Sequence, residues 1–245
     1  MANEQITADN LNLFTYTNID ICKKVEGIVL FFHGLGEQSL IKEANEEATY
    51  FANNNLLYVI PFYGPWAWMN NNAVKMIDNV IDIILKKFDL PPNIPIVSTG
   101  MSMGGLGALT FPRFTRHASK ITAIAANCPV CDLIRLRETR EDIPKSTYYA
   151  FSHYQVDMDE AVRTVSPIDN LKNAPKIPYF IAHCDNDIDV PKKEHSDIYV
   201  QKMKELSHDI TYISVPDKGH VDLDEQALNQ YHSFIIKYAK YKEKR

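Results

Sequence analysis

Ser102 lies in the segment Gly100-Met-Ser-Met-Gly104, in a chain with only nine glycines among its 245 residues. The spacing G-x-S-x-G is typical of a serine nucleophile on a sharp strand-to-helix turn, where small flanking residues let the two elements pass closely. Taken alone, the motif fits two interpretations equally well. Ser102 is either a nucleophile, or part of a tight crossover turn whose methionines belong to the core.

A serine hydroxyl is a weak nucleophile at neutral pH, and it needs a base that is itself oriented by an acid. His220, in the segment DKGH, is the predicted base, because it is the histidine that follows the last apolar strand with a glycine beside it. The acid is expected in the loop DNDIDVP, where spacing alone does not choose among Asp185, Asp187 and Asp189. The chain order of serine, acid and histidine is the one this type of turn requires.

A serine hydrolase also needs two N–H donors for the negative oxygen of its tetrahedral intermediate. One donor is usually the residue after the nucleophile, and the other comes from the loop after an early strand. The segment GIVLFFHGLG supplies such a loop. We therefore expect the backbone N–H groups of Leu35 and Met103 to form the oxyanion hole.

The candidate residues must be positioned by a sheet, and six nearly continuous apolar runs predict buried strands. They cover residues 27–33, 57–61, 95–99, 121–127, 178–184 and 209–215. Segments with helical periodicity lie between several of these strands, and the pattern is clearest over 73–88. A last helix is expected from about Asp222. Strand–helix alternation implies a mostly parallel, twisted sheet with helices on both faces. The segment 11–18 is expected to add an antiparallel edge strand.

The chain is predicted to be a single domain over 1–245, because it shows no internal repeat and no Gly- or Ser-rich linker. The stretch 131–176 contains no convincing core strand, and a loop of that length is usually functional or carries structure of its own. We expect helical pieces at 132–139 and 157–165. The stretch is interpreted as a small, cap-like helical insertion over one edge of the sheet.

Substrate contacts are predicted from the aromatic segment that follows the strand at 57–61. Trp66 and Trp68 could form a wall for an acyl, aryl or sugar group, and they fit a packed core equally well. The aromatic residues of the insertion leave the same choice open. No arginine is placed as an obvious clamp for a phosphate or carboxylate.

The composition excludes several classes of protein. A net charge of −5 argues against a nucleic-acid partner, which requires a concentrated basic surface. The start lacks a signal-peptide profile and no apolar run is long enough to cross a bilayer, so a cytoplasmic protein without a membrane partner is expected. Cys128 and Cys131 have a C-x-x-C spacing without a second ligand pair, and the aspartates of 185–189 lack a calcium-loop pattern. No metal and no cofactor are expected.

Four segments, FFHGLGE, GMSMGGLGAL, HCDNDIDVP and DKGH, together resemble the α/β-hydrolase superfamily, from about residue 25 to the end. The segment SPIDNLKNAPKIPYFIAHCDNDIDVP is similar to prolyl oligopeptidase catalytic domains and related small esterases. The resemblance implies the α/β-hydrolase fold, Asp187 as the acid, and Leu35 and Met103 as oxyanion donors. One departure is Cys184, where many relatives have glycine.

The expected function is hydrolysis of carboxylic esters through an acyl-enzyme, on a small-molecule or carbohydrate-linked substrate. The related peptidases carry a large accessory domain, for which this chain has no room, and this favours esters over peptides. A small peptidase or a thioesterase remains an alternative among enzymes. A catalytically inactive hydrolase-fold binding protein is the alternative of another class.

Overall fold

Six parallel strands and one antiparallel edge strand form a single sheet in the computed structural model, which describes residues 5–240. The strands are β1 (Thr15–Thr17), β2 (Gly27–Phe32), β3 (Leu56–Pro61), β4 (Ile96–Met101), β5 (Ile121–Asn127), β6 (Tyr179–Cys184) and β7 (Ile210–Val215). Their order is β1-β3-β2-β4-β5-β6-β7, with β1 antiparallel to β3 and every other pair parallel. The predicted fold class is confirmed, including the antiparallel edge.

Within residues 5–240, eight α-helices connect and cover the strands. They are α1 (Glu46–Asn53), α2 (Asn71–Lys87), α3 (Met103–Thr110), α4 (Leu133–Thr139), α5 (Ile143–Phe151), α6 (Met158–Val165), α7 (Ser196–Glu205) and α8 (Glu225–Ala239). Across residues 5–240, none of the helices has both the length and the apolar character needed to cross a bilayer.

The sheet is buried on both faces because successive side chains of a strand point to opposite sides. In β2, Ile28 and Leu30 belong to the larger core, which also contains the apolar face of α2. Val29 faces the other way and packs in a second core with residues of α1 and α8. Two helical layers therefore enclose the sheet, which explains why its central strands read as continuous apolar runs.

Helices α4 to α6 lie between β5 and β6, within the stretch predicted to be an insertion. Two of them coincide with the predicted helical pieces, but α5 was not predicted from the sequence. Its signal was present: Asp142-Ile-Pro begins the helix, and Ile143, Thr147, Ala150 and Phe151 follow helical spacing and are buried.

Hydrogen bonds attach α5 and the residues after it to the segment that follows β3. The indole Nε1 of Trp68 donates to Ser146 Oγ at 2.9 Å, and Asn70 Nδ2 donates to the carbonyl of Ala150 at 2.9 Å. Helix α5 is therefore docked on the loop between β3 and α2.

Candidate active site

Ser102 occupies the turn between β4 and α3 with φ 56° and ψ −120°, a conformation that non-glycine residues rarely adopt. Neighbouring backbone holds this strain in place. The N–H of Ser102 donates to the carbonyl of Asn127 at 3.0 Å, and its own carbonyl accepts from the N–H groups of Leu106 and Val130. The turn is thereby attached to the end of β5, and the side chain is partly exposed at the carboxyl end of the sheet.

The flanking glycines are required by close packing. A Cβ at Gly100 would overlap the carbonyl of Gly104, and a Cβ at Gly104 would overlap the carbonyl of Phe32 at the end of β2. Both obstacles are backbone atoms, which cannot rotate away. The G-x-S-x-G spacing thus lets α3 pass directly over β2 and β4.

We expect Gly104→Ala to lower the free energy of unfolding by about 3 kcal/mol, because overpacking against backbone forces the helix away from the sheet. Urea denaturation followed by circular dichroism measures the effect. Gly219→Ala is the matched control, since nothing lies within 4 Å of a Cβ built there. A change at Gly104 no larger than that at Gly219 would contradict this explanation of the motif.

The structure brings together Ser102, His220 and Asp187, which come from three separate loops. The Oγ of Ser102 lies 2.8 Å from Nε2 of His220, and Nδ1 of His220 lies 2.7 Å from Oδ2 of Asp187. An ionised carboxylate only accepts hydrogen bonds, so Nδ1 carries the ring proton. This tautomer leaves Nε2 free to accept the hydroxyl proton of Ser102.

The other two aspartates of the acid loop have different partners. Asp185 accepts a hydrogen bond from Ser214 and lies 3.6 Å from Lys192, while Asp189 pairs with Arg140 at 3.4 Å. Of the three acids that spacing left open, Asp187 alone is seen to contact His220.

Four donors surround the carboxylate of Asp187. Oδ1 accepts from the N–H groups of Asp189 at 3.0 Å and Val190 at 2.8 Å, and Oδ2 contacts both His220 and, at 3.2 Å, Nε2 of His183. Burial raises the pKa of Asp187, but hydrogen bonds from His183, His220 and Val190 outweigh it and hold the pKa well below its usual range. The acid is therefore ionised at neutral pH.

Sequence reasoning did not place His183, a residue of β6, among the candidate site residues. The ring is fully buried, with Nδ1 2.7 Å from Ser196 Oγ and Nε2 2.8 Å from the carbonyl of Val190. Since both neighbours of Nε2 are acceptors, Nε2 carries the proton and donates to Asp187. The signal available in the sequence was its position four residues before the acid.

The predicted oxyanion donors come from two segments: Met103 is the first residue of α3, directly after Ser102, and Leu35 lies in the loop after β2. Leu35 and Ser102 line the same cleft. Within residues 5–240, no backbone carbonyl accepts from the N–H of Leu35 or Met103. Both donors are therefore unpaired by backbone, as an oxyanion hole requires.

The loop that carries Leu35 is tied to the loop after β3. Tyr63 donates its hydroxyl proton to the carbonyl of His33 at 3.0 Å and stacks on the His33 ring, with centroids 4.2 Å apart. The N–H of Gly36 donates to the carbonyl of Pro65 at 2.8 Å. These contacts lie on both sides of Leu35 and set the position of its N–H.

The two tryptophans predicted to form a substrate wall have different environments in the structure. Trp66 is 41% exposed, lines the cleft beside Ser102, and meets the ring of Tyr149 edge-on with centroids 5.5 Å apart. Trp68 is 1% exposed and is bonded to Ser146 beneath the insertion. Of the two interpretations left open for Trp68, its burial supports packing in the core, and the residue does not line the cleft beside Ser102.

The cleft beside Ser102 has a volume of about 400 Å³, and a second hollow of about 370 Å³ adjoins it at Leu35 and Trp66. Arg140 is the cationic side chain that lines the first. Its guanidinium donates to the carboxylate of Asp142 at 2.7 and 3.1 Å and also pairs with Asp189. With its charge compensated by two carboxylates, Arg140 is a poor receptor for an anionic substrate group.

The cysteines at 128 and 131 lie apart from each other's contacts, although their spacing is typical of metal ligands. The C-x-x-C pair does not form a site: Cys131 Sγ contacts the carbonyl of Pro129 and lies 3.9 Å from Ser196 Oγ, away from Cys128. Among the residues that the structure describes, one set of three has donor atoms near enough to hold an ion: Cys128, Asp187 and His220. Two of these belong to the hydrogen-bonded chain that ends at Ser102.

The chain matches one protein family and is similar in fold to several solved structures. The profile of the prolyl oligopeptidase family matches residues 71–244. The fold is similar to a puromycin-hydrolysing peptidase of Mycobacterium tuberculosis (TM-score 0.73, 14% identity, 89% of this chain and 35% of that chain). It is also similar to the acylaminoacyl peptidase of Pyrococcus horikoshii (TM-score 0.70, 16% identity, 91% and 38%).

A smaller structure, an esterase of Thermogutta terrifontis, aligns with a TM-score of 0.64 and 16% identity over 91% of this chain and 86% of its own. The chain thus spans little more than a third of the length of the two peptidases. No curated protein sequence matched the chain.

Proposed function

Since this chain belongs to the prolyl oligopeptidase family, we propose that it is a serine hydrolase whose substrates are carboxylic esters. The observation that carries the proposal is the continuous set of hydrogen bonds from Asp187 through His220 to Ser102, with heavy-atom distances of 2.7 and 2.8 Å. These distances are within the range for proton transfer from a nucleophile to its base.

The proposed reaction has two stages. Ser102 attacks the ester carbonyl while His220 accepts its proton at Nε2, and Asp187 stabilises the resulting imidazolium. The N–H groups of Leu35 and Met103 hold the oxyanion, and each such donor is typically worth about 10²- to 10³-fold in rate. His220 then protonates the leaving alcohol. In the second stage His220 deprotonates a water molecule, which attacks the acyl-serine. The carboxylic acid product is released, and His220 returns the proton to Ser102.

The lining of the cleft supports a substrate that is neutral near its reacting carbonyl. Arg140 is paired with Asp142 and Asp189, so the cleft presents no uncompensated cation to a carboxylate or phosphate. Trp66 and Leu35 offer apolar surface on the side that leads to the second hollow. An acyl, aryl or acylated sugar group fits this combination.

Trp66→Ala is expected to raise KM for an aryl ester by about tenfold, since an aromatic contact of this kind contributes on the order of 1 kcal/mol beyond the buried area. Steady-state kinetics on a nitrophenyl ester measures the change. Tyr148→Ala is the control, because Tyr148 is 66% exposed and does not line the cleft. Equal effects of the two substitutions would remove Trp66 from the substrate site.

A peptidase or thioesterase is the second candidate. The peptidase is favoured by the family match and by the two similar peptidase structures, while the similar esterase supports the first candidate. The same residues serve all three reactions, because each proceeds through an acyl-serine.

A substrate panel tests the proposal: aliphatic and aryl esters, acetylated and feruloylated sugars, thioesters and aminoacyl amides sharing one acyl group. We expect kcat/KM for the preferred oxygen ester to exceed that for the matched amide by several orders of magnitude. Amide turnover comparable to ester turnover would replace the esterase by the peptidase. Preference for the thioester would favour the thioesterase.

A further inference from the structure

Cys128 lies directly beneath the acid and the base, in the loop that follows β5. It has a positive φ of 44°, although it is not glycine, and its sulfur accepts a hydrogen bond from the N–H of Cys184 at 3.4 Å. The side chain is fully buried in a small cluster that also contains Val221, the residue after His220. The backbone conformation and the packing together fix where this sulfur lies.

The position of the sulfur creates a set of three donors. A sulfur of Cys128, a carboxylate oxygen of Asp187 and a ring nitrogen of His220 all lie within 4.8 Å of one another. In a tetrahedral zinc site with metal–ligand distances of about 2.0–2.3 Å, such donors are about 3.5 Å apart. A contraction of about 1 Å would therefore bring the three donors onto one ion.

The chemistry of the donors selects the kind of ion. One thiolate, one imidazole and one carboxylate suit Zn²⁺ and Cd²⁺, whereas Mg²⁺ and Ca²⁺ prefer oxygen donors alone. The side chain of Asp187 is fully buried and that of His220 is 19% exposed, so His220 forms the opening toward the cleft. Three protein ligands leave a fourth position for water, as in open zinc sites.

We propose that Cys128, Asp187 and His220 form a binding site for a soft divalent cation, and that an ion bound there reversibly inhibits the hydrolase. Binding displaces the thiol proton of Cys128 to solvent. If Nδ1 of His220 is the ligand, the ring proton moves to Nε2, which then can no longer accept from Ser102. If Nε2 is the ligand, the metal occupies the base directly. Either mode removes the general base, so the inhibitory effect rests on the proposed function.

The remaining thiols provide the controls. Cys131 is buried but contacts Pro129 and Ser196 instead of the acid and base, and Cys22 is partly exposed near β1. Cys184 donates its N–H to the sulfur of Cys128 and is not one of the three donors. A parent protein carrying Cys22→Ser and Cys131→Ser removes the two thiols that lie away from the proposed site and keeps Cys128 with its neighbour Cys184.

The experiment titrates this parent, freed of metal with EDTA and desalted, with Cd²⁺ and separately with Zn²⁺. Cadmium–thiolate bonding is followed by its ultraviolet charge-transfer band, and aryl-ester hydrolysis is followed in parallel. We expect one Cd²⁺ per chain, loss of activity over the same concentrations, and recovery with EDTA. Adding Cys128→Ala should weaken both binding and inhibition by about tenfold or more.

Cys128→Ser, which keeps the size of the side chain but lacks the soft donor, should behave like Cys128→Ala, and circular dichroism verifies that each variant is folded. The proposal is overturned if the parent shows no cadmium–thiolate band, or if either Cys128 variant is inhibited at the same metal concentration as the parent. A parent that binds Cd²⁺ but cleaves no ester without metal would contradict the proposed function and leave the metal site standing.

Discussion

Ser102→Ala is expected to abolish labelling by a fluorophosphonate probe and to lower kcat for ester hydrolysis by about 10⁴-fold or more. The substitution removes the oxygen that becomes acylated, whereas His220, the acid and both N–H donors stay in place. Substrate binding should persist, so KM is expected to change little. In-gel fluorescence of the labelled protein and steady-state kinetics measure the two effects.

The matched control is Ser98→Ala, on the same strand β4. Ser98 Oγ donates to the carbonyl of Ala108 at 3.0 Å and is fully buried, so its loss affects packing but not the reaction. Labelling should be retained in this variant. Labelling of Ser102→Ala at the wild-type level would assign the nucleophile to another residue. Absence of labelling in the folded wild-type protein would favour the binding protein over the enzyme.

Asp187→Asn should lower kcat by about 10⁴-fold while the protein remains folded. An amide that turns its NH₂ toward Nδ1 of His220 favours the tautomer with the proton on Nε2, which cannot accept from Ser102. The amide also carries no negative charge to stabilise the imidazolium. The measurement is kcat and KM for one aryl ester, with thermal unfolding recorded to show that the fold is preserved.

The acid loop contains its own control. Asp185→Asn alters a carboxylate two residues away that contacts Ser214 and Lys192 instead of the histidine. We expect kcat of this variant to stay within about tenfold of wild type, because it touches no reacting group. A decrease in kcat equal to that of Asp187→Asn would show that activity depends on the conformation of the loop and not on the individual carboxylate.

The sheet could be predicted because strands that are buried on both faces are continuous apolar runs in the sequence. Strand β2 is apolar along its whole length and β6 is apolar up to His183, and each is followed by a loop with polar residues at the carboxyl edge. Helix α5 was harder to identify, since Tyr148 and Tyr149 are both 66% exposed and interrupt its amphipathic pattern. From the sequence alone, aromatic residues that face solvent cannot be distinguished from aromatic residues of the core.

In the candidate site, the sequence motif was informative at positions where contacts with neighbouring backbone atoms leave room only for glycine. Gly100 and Gly104 are required by contacts with backbone atoms, so the motif around Ser102 could be recognised. The choice of acid was different: three aspartates share one loop, and only the resemblance singled out Asp187. The contact of His183 with this acid depends on the three-dimensional path of the loop, as does the inward turn of Trp68.

The contacts between the loops after β2 and β3 limit which substitutions near the site this protein can accept. Tyr63 and Pro65 lie in the same short segment as Trp66, and they hold the carbonyl of His33 and the N–H of Gly36 on either side of Leu35. A substitution that reshapes the surface around Trp66 is therefore expected also to move the N–H of Leu35, the proposed oxyanion donor. Productive changes of specificity should therefore arise as paired substitutions in both loops, and grafts should transfer the two loops together.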